Sequence, residues 1–290
     1  MTRQWLLAML GASAFLASCS KESAPPPTAP AATAATAATP AEEAARVAPV
    51  AAEEAEPLDV ASQWMPYGEG KDALIRGYFA YPESMVAPLP AIIVVHDWRG
   101  LDEPTKQMAD RLASRGYMVL AVDFFGGKVA SSAEEAAALS RGLLEQTEAA
   151  DQNVVAAYRF LTDAAGAPSV ATLGTAMGGY WAVKSMRLLP GELKAAVNWY
   201  GQVDEDPALI EQMDAPLLGL FAGSDRSMPP QRVRDFRAAA ESAGKTVDVQ
   251  IIPNVSAGFA NPDDPRFDQQ AADLAWQRTM NFLTQHLTAI

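Results

Sequence analysis

Gly174-Thr175-Ala176-Met177-Gly178-Gly179 has the spacing of a turn built to display one side chain. In the pattern G-x-nucleophile-x-G a strand ends, the chain turns sharply and a helix begins. The central side chain then stands clear of the backbone, and its neighbours are small because the helix packs close. The chemistry such a turn supports is attack by a serine hydroxyl or cysteine thiolate on an acyl carbon, with a nearby base taking the proton. The central residue here is Ala176, which has no lone pair to donate. Glycines between a strand and a helix also cradle phosphates, so the six residues taken alone fit either purpose.

An acid and a histidine should follow the nucleophile, in that order, on a fold of this kind. Asp225 comes just after the apolar run PLLGLFAG (216–223), where an acid would be well placed. The histidine is expected within IPNVSAGFANPDDPRFD (252–268), which contains none. The chain has two histidines, His96 and His286. His96 ends a strand near the site, and a structural hydrogen-bonding role suits it better than that of a base. His286 lies near the end of the last helix and is expected to be solvated. Thr175 precedes the tip, whereas the turn displays only its central side chain, and Ser256 has no base beside it. Asp263 and Asp264 are expected to bound a solvated turn. Trp98, Trp181 and Tyr200 are candidates to line a pocket, with core packing the plainer role for Trp181. No group of residues has metal-ligand spacing, and no metal or cofactor is expected.

Alternating strands and helices must hold these residues. Strands are expected at 74–82, 90–98, 117–125, 169–174, 193–201, 216–223 and 246–253. Helices are expected at 102–116, twice between 131 and 164, and at 178–189, 229–244 and 266–287. The run PAIIVVHDW (90–98) is short and β-branched, as in a parallel strand buried on both faces. Alternation of this kind predicts a doubly wound, mostly parallel α/β sheet in one domain from 58 to 290.

With the elements in order, the span from about 74 to 284 resembles the dienelactone hydrolase family of the α/β-hydrolase superfamily. The matching segments are His96-Asp97-Trp98-Arg99-Gly100, the glycine turn around Ala176, Gly223-Ser224-Asp225-Arg226-Ser227-Met228-Pro229 and Ala257-Gly258-Phe259-Ala260-Asn261. The resemblance implies an α/β-hydrolase fold and hydrolysis of esters or lactones by a Cys or Ser, His and Asp triad. It assigns the nucleophile position to Ala176, the histidine position to Ala257 and the retained acid to Asp225. It assigns the family glutamate position to Asp97, one methylene shorter. It also assigns the oxyanion-binding backbone N–H groups to Trp98 and Met177.

The first 57 residues differ in character. Arg3 precedes an apolar stretch from Trp5 to Ala17, too short for a confident membrane span and suited to a secretory signal over 1–18. Leu16-Ala17-Ser18-Cys19 resembles a bacterial lipobox, which implies cleavage before Cys19 and lipidation of its sulfur. The chain has one cysteine, so no intramolecular disulfide can form. From 19 to 57 the composition is Ala, Pro, Thr and Glu, which buries too little apolar surface to offset ordering and reads as a tether. Ser20 in place of aspartate implies, by resemblance to lipoprotein sorting, the outer membrane facing the periplasm. The net charge is −13 without a basic cluster, which argues against nucleic acid as a partner.

Three functions are compatible with these residues. One is an inactive family member that binds an ester, lactone, carboxylate or partner. The second is an ester or lactone hydrolase inactivated by substitution at 176 and 257. The third is carboxylate-directed water chemistry at Asp97 and Asp225.

Overall fold

The computed structural model describes residues 56–70 and 74–287. The expected signal sequence and Cys19 lie outside the described residues, as does the tether apart from Glu56 and Pro57. All described residues belong to the compact unit Ala37–Ile290.

The strands are β1 (Val60–Glu69), β2 (Leu74–Pro82), β3 (Ala91–Val95), β4 (Met118–Val122), β5 (Val170–Thr175), β6 (Ala195–Trp199), β7 (Leu217–Ala222) and β8 (Val247–Ile252). They form one sheet in the order β1-β2-β4-β3-β5-β6-β7-β8. Pairing is parallel from β4 through β8 and antiparallel for β1 with β2 and β2 with β4. The helices are α1 (Glu103–Ala113), α2 (Ala133–Glu145), α3 (Thr147–Arg159), α4 (Met177–Leu188), α5 (Pro207–Ile210), α6 (Pro230–Ser242) and α7 (Gln269–His286). A π-helical turn, Phe160–Ala164, extends α3.

Every residue of β3 and β4 is buried, because helices cover both faces of the sheet. Side chains alternate between the faces with the period of two that a strand imposes. Ile93, Val95, Leu120 and Val122 join the core under α2, α3, α4 and α6. Ile92, Val94, Val119 and Ala121 join the core under α1 and α7. On that second face the Arg111 guanidinium of α1 lies 3.7 Å from the centre of the Trp276 ring of α7.

The doubly wound, mostly parallel sheet is therefore as expected, with two additions. β1 is an edge strand whose polar, proline-containing sequence VASQWMPYGE lacks a strand-like apolar alternation. The short helix α5 begins at the N-cap Asp206, whose carboxylate accepts the Ala208 N–H. The expected strands at 90–98, 117–125 and 193–201 also end earlier. His96, Asp123 and Tyr200 leave the ladder to form the loops at the carboxyl edge of the sheet.

Candidate active site

β5 ends at Thr175 and α4 starts at Met177, so Ala176 alone makes the turn, with φ 49° and ψ −115°. A positive φ at a residue bearing a Cβ costs about 1–3 kcal/mol and persists only where the surroundings impose it. They impose it here. The Ala176 N–H donates to the Trp199 carbonyl at 2.9 Å, and its carbonyl accepts the Gly179 N–H at 3.0 Å. A Cβ on Gly174 would lie 2.1 Å from the Gly178 carbonyl oxygen, and one on Gly178 would lie 2.1 Å from the Val95 carbonyl oxygen. The glycines thus bring α4 against β3 and β5, as a tip that displays its central residue requires.

Met177 is the first residue of α4, and Trp98 follows β3 in the next loop along the sheet edge. Among the described residues neither backbone N–H has a hydrogen-bond partner. The first N–H groups of a helix lack intrahelical acceptors and carry its positive dipole end, so Met177 offers a donor for an oxyanion.

His96 is fully buried and both its ring nitrogens are committed. Nε2 accepts the Phe124 N–H at 3.0 Å, so Nδ1 carries the proton and donates to the Asp97 carbonyl at 2.6 Å. Burial holds the imidazole below its ordinary pKa. The ring braces the loops after β3 and β4 and has no nitrogen left to act as a base. His286 is part-buried against the Phe282 ring at 4.6 Å and is not simply solvated.

Asp97 accepts the Arg99 N–H through Oδ1 at 2.8 Å. Burial pushes its carboxyl up to about 6, with the Asp102 and Asp264 charges adding to that and the Arg99 hydrogen bond and charge opposing it. A carboxyl raised in the folded state disfavours its own ionised form. The penalty is absent below the unfolded value near 4 and grows as pH rises through about 6, reaching at most about 3 kcal/mol. Asp97→Asn is expected to stabilise the fold by about 1–3 kcal/mol at pH 8 and by little at pH 4. Urea unfolding at the two pH values measures this, and an equal effect at both would refute it.

Asp225 follows β7 and is buried. Oδ1 accepts both the Ser227 N–H and the Ser227 hydroxyl at 2.7 Å. Oδ2 is buried and has no partner among the described residues. An orphaned carboxylate oxygen is unusual, since burying an unpaired acceptor costs roughly 1–3 kcal/mol. The segment holding Ala257 runs alongside: Gly223 N–H donates to the Ile252 carbonyl and Ser224 N–H to the Val255 carbonyl, each at 2.8 Å. Ala176 and Ala257 both pack against the core that lies under α1 and α7.

Other expectations resolve as follows. Asp264 bounds the turn as expected, its N–H donating to the Asn261 carbonyl at 3.0 Å, but it is half-buried and its carboxylate pairs with Arg266 through two hydrogen bonds, of 2.8 and 2.6 Å. That pairing holds Asp264 below the usual carboxylate range. Asp263 is exposed in the turn as expected. Trp181 is fully buried in the core. Trp98 is 37% exposed beside the site. Tyr200 is buried, with φ 45°, its ring 4.9 Å from that of Phe259. It lines a cavity of about 160 Å³ together with Asp97, Asp102, Thr175, Arg111 and Asn261. Of the three aromatic candidates to line a pocket, Tyr200 does so and Trp98 and Trp181 do not; the rest of the cavity wall depends on α1 lying over the ends of β3 and β5. Asp225 is not among its lining residues, so the two carboxylates proposed to direct a water do not share it. Among the described residues there is no cluster suited to a metal ion.

A helix-flanked parallel sheet with a glycine-bounded elbow after its central strand and an acid after β7 defines the α/β-hydrolase fold. The model of the dienelactone hydrolase family matches residues 75–287, and the chain belongs to that family. It is similar to protein usf of Aquifex pyrophilus, 27% identical over 221 residues that cover 74% of this chain and 94% of the relative. Among solved structures it is similar to a dienelactone hydrolase-like promiscuous phosphotriesterase from metagenomic libraries, with TM-score 0.71 and 19% identity over 79% of this chain and 99% of that one. The dienelactone hydrolase of Anabaena variabilis superposes with TM-score 0.61 and 19% identity, again over 79% of this chain and 99% of that one.

Proposed function

We propose that this domain is a dienelactone-hydrolase-fold protein that binds a carbonyl or carboxylate ligand at the elbow and does not turn it over. The observation that carries the reading is the Asp225 carboxylate, held by Ser227 on one oxygen and unpartnered on the other. A triad acid accepts a ring N–H from its histidine. With Ala257 in that position the acceptor remains and the donor is gone. Ala176 supplies no nucleophile, and both nitrogens of His96 are occupied, so no described group near the elbow replaces the missing base. The backbone donors at Trp98 and Met177 do not depend on side chains, which supports weak binding of an oxyanion or carboxylate.

The same geometry serves a hydrolase whose two catalytic side chains have been substituted, and the parent reaction would then be ester or lactone hydrolysis. The test of inactivity is hydrolysis of p-nitrophenyl acetate by the chain as it stands. Expected is a rate that does not saturate with substrate and is unchanged by Asp97→Asn. Saturable turnover abolished by Asp97→Asn would overturn the reading in favour of carboxylate-directed water chemistry.

A further inference from the structure

A larger hollow lies away from the elbow, between β1 and β2, the loop after β4 and the helices α2 and α3. Its volume is about 1070 Å³. None of Asp97, Ala176, Asp225 or Ala257 lines it. Leu101, Phe124, Phe125, Leu139 and Leu143 supply apolar walls. At the rim, Trp64 is 42%, Leu74 59% and Val129 47% exposed. These three side chains give the opening an apolar rim that continues the apolar walls within.

The charges point to the ligand. The chain carries 22 basic and 35 acidic residues, yet among the described residues the hollow is lined by Arg76, Lys106 and Lys128 and by one acid, Asp123. Lys106 is ion-paired with Glu103 at 2.6 Å, so Arg76 and Lys128 are the cations that bear on a ligand. Asp123 is buried, and backbone donors occupy both its oxygens: the Phe125 N–H at 2.8 Å on Oδ1 and the Gly127 N–H on Oδ2. The polar floor is also satisfied. Asn153 donates to the Asp123 carbonyl at 3.0 Å and accepts the Tyr67 hydroxyl. Apolar walls with Arg76 and Lys128, and no free carboxylate among the described lining residues, suit a molecule with an oily body and one negative end. Cavities of roughly 300–1,000 Å³ hold drug-sized ligands, so this hollow has room for an acyl chain.

We propose that this hollow binds a long-chain carboxylate, with the acyl chain against Phe124, Leu139 and Leu143 and the carboxylate toward Arg76 and Lys128. The site is independent of the elbow and of whether the elbow is catalytic. The probe is dodecanoate below its micellar concentration, titrated calorimetrically into the full chain, with displacement of 8-anilinonaphthalene-1-sulfonate as a second readout. Saturable binding of one dodecanoate per chain is expected. Arg76→Glu with Lys128→Glu should weaken it at least tenfold, as should replacing dodecanoate with dodecan-1-ol. Gly142 lines the hollow on α2, and a Cβ there meets nothing within 4 Å, so Gly142→Trp should fold and obstruct the site. Absence of saturable binding overturns the proposal. So does alcohol binding as tight as that of the acid, or unchanged affinity in either the double charge reversal or Gly142→Trp.

Discussion

Ala176→Ser combined with Ala257→His is expected to convert the chain into an esterase, raising p-nitrophenyl acetate hydrolysis by about 10³-fold or more, or about 4 kcal/mol of barrier. The scaffold around both positions is already formed. The elbow holds φ 49° with alanine at its tip, the Met177 and Trp98 N–H groups are unpartnered among the described residues, and Asp225 Oδ2 lacks a donor. On the proposed assignment of the histidine position to Ala257, a histidine there is expected to supply that donor through one ring nitrogen and face the serine with the other. Each single change should leave the rate within a few-fold of the starting chain, because triad members act as a unit and a lone serine has no base. Adding Asp225→Asn to the double variant should then remove most of the gained activity, since the acid fixes the histidine tautomer. A double variant that folds by circular dichroism and stays inert would show that the pocket has lost its shape as well as its side chains.

Gly178→Ala is expected to destabilise the domain by about 3–4 kcal/mol, lowering Tm by roughly 10 °C. The added methyl would sit 2.1 Å from the Val95 carbonyl oxygen and 2.6 Å from that of His96. Both are backbone atoms of a strand end and its loop, so no side-chain rotation relieves the clash. Relief requires α4 to move away from β3, which breaks the approach that forms the elbow. Gly142→Ala is the matched control. It lies within α2, where a Cβ meets nothing within 4 Å, and should stabilise by about 0.5–1 kcal/mol through helix propensity. Equal effects at the two glycines would mean that backbone entropy, and not close packing, sets the requirement at 178.

The parts of this fold that were legible in the sequence are those with strong local periodicity. AIIVV and MVLAV announce buried parallel strands because no polar residue interrupts them. The elbow was legible because its glycines answer to a steric need that the sequence states directly. β1 was not, since an edge strand with one neighbour tolerates proline and polar residues that a central strand does not. The fate of His96 was legible only in outline. Its position at a strand end was plain, but the occupation of both nitrogens depends on the Phe124 N–H, which lies 28 residues away in the sequence. The Asp264–Arg266 pair was hidden for a different reason: two residues apart in a polar loop, they gave no periodic sign of whether they face water or each other. Tyr200 was legible as a pocket wall, but the shapes of the cavities were not, because they arise from how distant elements sit against one another.

The turn at Ala176 keeps its geometry with a methyl group at the tip, so the direction in which that side chain leaves the backbone is set by the neighbours and not by the residue's own chemistry. The tip therefore works as an attachment point. The chain's one cysteine, Cys19, lies outside the described residues, so Ala176→Cys would place the only thiol of the described domain at the start of α4, next to the Met177 N–H. A thiol-reactive metal complex or spectroscopic label attached there would leave the backbone in the direction that the turn fixes.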